Sequence, residues 1–303
     1  MDRVMLGARP AVPAAEQGLA GRTAAVRPSA LALGRAATLA LYDELALSPK
    51  PGLVTLVDRG SHDDMDARTF LRSLLALRGY FPRVAELGAQ GAPFDALQRC
   101  GLEAEARMTR ATQGINTHRG AVFTLGLLCA AGGALAASGR GFNAAALRDM
   151  LRQRWGDDLA LRAQRAPTLP GGLAARRHGL RSASGEAALG FPVLFDTAWP
   201  ALQRGLSRGL PRDQVLIDVL FSVMAVLDDA NLAHRGGLPG LRFAQAAARQ
   251  FLAAGGAAAP DGLARAHAVG RAMVARRLSP GGAADMLAAA CWMQRAERAA
   301  AVG

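Results

Sequence analysis

Apolar residues recur at helical spacing along most of this chain. Leu33, Ala37, Leu41 and Leu45 fall four apart and predict a helix over residues 29–47. A second is expected to start at Ser61, which forms a capping-box-like pair with Asp64. Its core side is Phe70, Leu71, Leu74 and Leu77, while His62, Asp66, Thr69 and Ser73 share another face. Tyr80-Phe81-Pro82 is read as the break after it, and residues 88–93 as a loop. An amphipathic helix is predicted over residues 94–112, stopping at Gly114. Residues 120–139 carry no charge and are long enough to span a bilayer, but their Gly, Ala, Thr124 and Ser138 suit a buried helix better. Asn143 caps a helix through Leu161, and residues 167–172 read as a short linker. Further helices are predicted over residues 213–227, with a stripe of Leu216, Leu220, Val223 and Leu227, then over 243–254 and 262–278. Ser279-Pro280-Gly281-Gly282 opens the last one. No strand-type alternation is sustained and no repeat is found, so the expected class is all-α. Residues 29–303 form one bundle-like domain with a central active-site cleft. Residues 1–28 mix Pro, Gly, Ala and Arg without periodicity and read as a mobile tail.

Composition agrees with the helical reading. Hydrophobic residues make up 51% and aromatic ones only 5%, a balance carried by Ala and Leu rather than β-branched residues. The net charge of +12 suits an anionic partner such as nucleic acid, an acidic protein or a polyphosphate. The arginines are scattered and carry little aromatic surface with them, so charge alone does not select nucleic acid. Cys100, Cys129 and Cys291 are odd in number and widely spaced, which fits a reducing cytoplasm and neither a zinc site nor a disulfide framework. Asp2 and Arg3 stand where a signal peptide would begin its apolar run, and Asp2 and Glu16 disfavour a transit peptide.

Charge changes the picture at a few places. Lys50 is the only lysine among the 36 basic residues and sits between Pro49 and Pro51. A compact ammonium is a point-charge phosphate binder, although a lysine in a surface loop has the same sequence. His62, Asp63, Asp64 and Asp66 crowd into five residues. They suit either a helix dipole or one Mg²⁺ with waters completing its octahedron. Before the uncharged helix, Asn116 or Thr117 caps, and with His118 and Arg119 the first-turn amides form an anion site; a capped buried helix explains the same residues. Residues 176–187 mix Arg and small residues around Glu186, as a solvated loop or around an inward-facing base. Asp228-Asp229-Ala230-Asn231 follows the helix over 213–227, where carboxylates oppose the dipole, so oxygen ligation for a cation accounts for them better. His234, Arg235 and two glycines supply phosphate donors beside them.

Six segments, in order, resemble the triphosphoribosyl-dephospho-CoA synthase family. They are P-K-P-G-L-V (49–54), H-D-D-M-D (62–66), A-T-Q-G-I-N-T-H-R-G-A-V-F (111–123), G-E-A-A-L-G-F-P (185–192), D-A-N-L-A-H-R-G-G (229–237) and S-P-G-G-A-A-D-M-L-A (279–288). S-H-D-D-M-D and G-I-N-T-H-R-G look more like the branch serving malonate decarboxylase than the one serving citrate lyase. Ser182-Ala183-Ser184 and Ala230 depart from the family's usual Gly-Ala-Arg and Thr. The resemblance implies an all-helical pentosyltransferase that joins ATP to 3′-dephospho-CoA and releases adenine. Its product is the precursor of the prosthetic group on the decarboxylase's acyl-carrier subunit, passed on by a holo-acyl-carrier-protein synthase. On this reading Asp64, Asp66, Asp228 and Asp229 gather around Mg²⁺. Lys50, Asn116, Thr117, His118, Arg119, His234 and Arg235 hold the triphosphate. Asp64, Asp66, Asp229 and Glu186 form the catalytic set, with Glu186, or else one of the Asp residues, as the base for the acceptor 2′-hydroxyl. Breaking the ribose–adenine bond passes through an oxocarbenium-like state, and the family's α-linked product implies a single inverting displacement. The implied protein is cytoplasmic, with no nucleic-acid or membrane partner and room for a homodimer. A basic helical nucleic-acid binder is the alternative of a different class.

Overall fold

In a computed structural model the described residues are 27–302, and their regular structure is all helical, with no strand among them. The tail expected over residues 1–28 lies almost wholly outside them. Along the chain come α1 (Ala30–Ala46), α2 (Ala67–Leu77), α3 (Tyr80–Ala89), α4 (Phe94–Ala111), α5 (Arg119–Ser138) and α6 (Ala144–Gln164). Then follow α7 (Pro170–His178), α8 (Ala183–Ala188), a π-helical stretch (Val193–Ala198), α9 (Trp199–Ser207) and α10 (Arg212–Met224). The chain closes with α11 (Ala230–Ala253), α12 (Gly262–Ala275) and α13 (Gly281–Val302). The all-α expectation is therefore met.

The uncharged helix α5 is the core of the bundle. It is long and apolar enough to cross a membrane, yet most of it is buried. Helices α3, α13, α6, α4 and α1 pack around it. Close approach to α3 depends on small residues: a Cβ on Gly133 would lie 2.0 Å from the Ala85 carbonyl oxygen. Tyr80 Oη donates to the Val122 carbonyl at 3.0 Å, so the phenol adds a polar tie to this apolar contact. On the other side, Trp292 of α13 donates to the Leu33 carbonyl of α1 at 3.1 Å. Asp43 of α1 accepts from Arg212 at 3.0 Å and from Arg295 at 2.8 Å, clamping α1, α10 and α13 together.

Four expectations about the elements need correction. The helix expected from Ser61 starts at Ala67, and its cap is Asp66, whose Oδ1 accepts the Thr69 amide at 3.0 Å. Residues 61–66 instead form an irregular strap that packs on the segment before α13. Pro82 does not break the chain: the break is at Arg78-Gly79, and Pro82 lies in the first turn of α3, where a missing amide costs little. Residues 176–187 are the end of α7, a turn and α8 rather than a loop. Finally, α10 ends at Met224 and α11 begins at Ala230, so Asp228 and Asp229 precede a helix rather than terminate one. Helix α11 changes direction at Gly237, which is non-helical at φ 61 and ψ −166.

Candidate active site

Three helix N-termini meet at one point, joined by the first turn of α13. Asp229, the N-cap of α11, accepts from the amides of Asn231 at 2.9 Å and Leu232 at 3.2 Å. Its other oxygen accepts the Ala283 amide of α13 at 3.0 Å. One buried carboxylate thus satisfies orphan donors of two helices. Asp285, one turn into α13, lies against the first turn of α5, where a Cβ on Gly120 would come within 1.9 Å of Asp285 Oδ2. Glycine at 120 is what lets that carboxyl reach the α5 terminus. Each N-terminus contributes about half a positive charge, so the junction attracts anions.

Lys50 and His118 lie at the same junction. Lys50 is buried and ion-paired with Glu44 of α1, which is itself buried. Burial lowers the Lys50 pKa, against the opposing pull of Glu44. Removing either partner would leave a buried charge alone, a loss of about 3–5 kcal/mol. His118 Nδ1 is 2.6 Å from Ser73 Oγ, which also accepts from Thr117 Oγ1 at 2.7 Å. The Ser73 hydroxyl hydrogen is therefore left for Nδ1, which places the ring proton on Nε2. That Nε2 is buried and has no partner. Desolvation, and secondly the Lys50 charge, lower the His118 pKa to about 3. His118 is accordingly a neutral N–H donor. A buried donor without an acceptor costs roughly 1–3 kcal/mol, which an incoming anion's oxygen would offset.

The strap over residues 61–66 borders this junction. Arg235 donates to the carbonyls of Ser61 and Arg277, each at 3.1 Å, and its Nη2 is 3.1 Å from His62 Nδ1. Since that nitrogen accepts, His62 Nε2 carries the proton and donates to Ser279 Oγ at 2.9 Å. Ser61 Oγ donates to the Leu278 carbonyl at 2.6 Å. Arg235 thus ties two motifs together with bonds that sequence reasoning gave to phosphate.

Other expected residues stand elsewhere or are already engaged. Arg119 turns to Glu105, with Nε 3.0 Å from Oε2, and Asn116 Oδ1 accepts the Arg119 amide at 3.3 Å. Glu186 accepts from Arg181 at 2.9 Å and from the Val193 amide at 2.6 Å, so its carboxylate anchors the π-helical stretch. Asp228 and His234 are exposed, and Asp228 Oδ2 is 3.5 Å from the Arg181 amide. Asp64 is exposed, 3.8 Å from His62 Nδ1. Asp66 is spent on its cap, and the bonds from Thr69 hold its pKa low. The four acids expected around Mg²⁺ are not gathered: among the described residues no three His, Cys, Asp or Glu side chains form a group that would hold a metal ion. The donor set does not fit a resident metal cage.

Sequence reasoning missed Glu44 and Asp285. Glu44 was legible as a lone acid on the apolar face of α1, one turn after Leu41 and six residues before the only lysine. Asp285 was legible as the one charge in the apolar opening of α13. Ser73 was placed on the polar face of α2 but given no role, although it is fully buried.

Residues 30–302 match the family described as CitG: ATP:dephospho-CoA triphosphoribosyl transferase. Among curated proteins, the chain is 36% identical to a probable 2-(5''-triphosphoribosyl)-3'-dephosphocoenzyme-A synthase of Acinetobacter calcoaceticus, over 88% of this chain and 92% of that protein. It is 38% identical to one of the same description from Vibrio cholerae serotype O1, over 85% of both chains. No solved structure matches.

Proposed function

The chain belongs to the ATP:dephospho-CoA triphosphoribosyl transferase family and is an enzyme, and on that premise we propose how its site works. It transfers the triphosphoribosyl group of ATP to the 2′-hydroxyl of 3′-dephospho-CoA and releases adenine. The observation that carries this reading is the meeting of the α5, α11 and α13 N-termini around a buried lysine and a buried unpartnered imidazole N–H. Such a junction suits a triphosphate: helix dipoles converge on it, the Lys50 ammonium is buried at it in its pair with Glu44, and His118 Nε2 offers a hydrogen bond. Four of the six family segments contribute to it directly. Magnesium enters with ATP as the nucleotide's own counterion, and Asp64 and Asp228 are exposed acids in or beside the motifs that flank the junction. The sequence of the strap and of the turn before α5 favours malonate decarboxylase as the destination of the product. Cytoplasmic residence follows from the same role.

The test is a product assay. Purified protein with ATP, Mg²⁺ and dephospho-CoA is expected to yield one free adenine per dephospho-CoA that gains the triphosphoribosyl mass. Consumption of ATP without adenine, or no reaction, contradicts the reading.

A further inference from the structure

Adenine is a poor leaving group as an anion, so breaking its bond to ribose calls for a proton donor, and no sequence motif was assigned that task. Asp285 has the required character. Its carboxyl is part-buried at the junction of α5, α11 and α13 and makes no hydrogen bond among the described residues. The groups that face it from neighbouring elements are carboxylates: Asp229 of the α11 cap and Glu44 of α1. Lys50, the nearby cation, is taken up by Glu44. The other carboxylates of the site are engaged, Asp229 by three amides and Glu44 by Lys50. A second orphan group, His118 Nε2, stands two residues before the glycine that Asp285 touches.

We propose that Asp285 is a catalytic residue, the general acid that protonates the departing adenine. The inference rests on the transferase reading above. The C1′–N9 bond of ATP breaks and its electron pair goes to adenine. The Asp285 O–H gives its proton to a ring nitrogen of the base, which leaves neutral. The dephospho-CoA 2′-oxygen forms the new bond to C1′, and the proton it sheds returns the carboxylate to the acid form, directly or through solvent. Desolvation, then the charges of Asp229 and Glu44, push the Asp285 pKa well above the usual carboxylate range, the direction a general acid needs. The negative neighbours also suit the cationic character that develops on the ribose.

Asp285→Asn keeps the shape and removes the proton. Base release is measured from ATP and from the triphosphate of nicotinamide riboside, whose pyridinium departs neutral without protonation. With ATP the variant is expected to lose roughly 10²–10⁴-fold in kcat with little change in KM. With the pyridinium donor it should stay within about threefold of wild type, because no proton is needed. A variant that matches wild type on ATP, or loses equally on both donors, overturns the assignment while leaving the transferase reading intact. A wild-type protein that releases no adenine overturns both. Should the variant fail to fold, as judged by circular dichroism and melting, wild-type protein decides with 3-deaza-ATP and 7-deaza-ATP. One of these, lacking the nitrogen that takes the proton, should slow by the same factor; equal use of both and of ATP overturns the proposal.

Discussion

At His118, a buried site and a hydroxyl partner fix the imidazole as a neutral donor, and this has a pH signature. Its pKa is lowered from 6.5 to about 3 in the fold. A depressed folded pKa gives stability that is complete above the unfolded value and is lost as pH falls toward the folded one. Asp229 works in the opposite sense: burial raises its pKa from 3.8 to about 6, so its share is complete at low pH and is lost as pH rises through that value. Between about pH 4 and pH 6 the two oppose each other, so wild-type stability alone is a poor readout. The difference between wild type and His118→Gln isolates the imidazole. Urea unfolding should show wild type losing about 1.4 kcal/mol per pH unit relative to the variant as pH falls from about 6 to about 4. Parallel curves would mean that His118 is not desolvated as the structure has it.

Among the elements, the helix caps carry unequal weights. Asp66 caps α2 from a half-buried position, whereas Asp229 caps α11 while also holding the Ala283 amide of α13. An ordinary cap is worth about 1 kcal/mol, so Asp66→Ala should cost near that. Asp229→Ala strands an additional buried amide and should cost about 2 kcal/mol or more by urea denaturation. Equal costs would deny Asp229 its double duty. These caps also explain which elements were legible. Helices α1, α4 and α10 followed their amphipathic spacing closely, because one stripe faces one core, whereas α5 was legible from its uncharged run and α6 from its Asn143 cap. The start of α11 was misplaced because Leu227 continues the stripe of α10 in sequence, although the helix has ended at Met224. Only the Asp229 cap, a three-dimensional feature, marks the new start. The α7–α8 region was read as a loop because its small and basic residues show little periodicity. Its helices are short, and Glu186 and the Ser182 cap hold α8 locally.

On the scale of the whole molecule, distant motifs become one site because α13 returns to the N-terminal half. Its first turn bonds α11 through Asp229, touches α5 at Gly120 and lies near Glu44 of α1. The residue types at the junction were visible in the sequence as Lys50, His118, Asp229 and the S-P-G-G-A-A-D run. Their partners were not, because ion pairing of Lys50 with Glu44, or of Arg119 with Glu105, depends on side-chain direction rather than motif. The cation set expected for the triphosphate is thus partly spent on the protein itself. What remains at the junction is the converging helix dipoles, the Lys50–Glu44 pair, the carboxyls of Asp229 and Asp285, and one unpartnered imidazole N–H.

That lone lysine offers the most direct measurement. With a single lysine in the chain, protein labelled with ¹⁵N at the lysine side chain gives one ammonium signal, from Lys50. Saturating the protein with ATP should move that signal, because the triphosphate arrives beside the buried Glu44 pair. A signal left unchanged by ATP, in protein that still releases adenine, would place the nucleotide elsewhere and contradict the account.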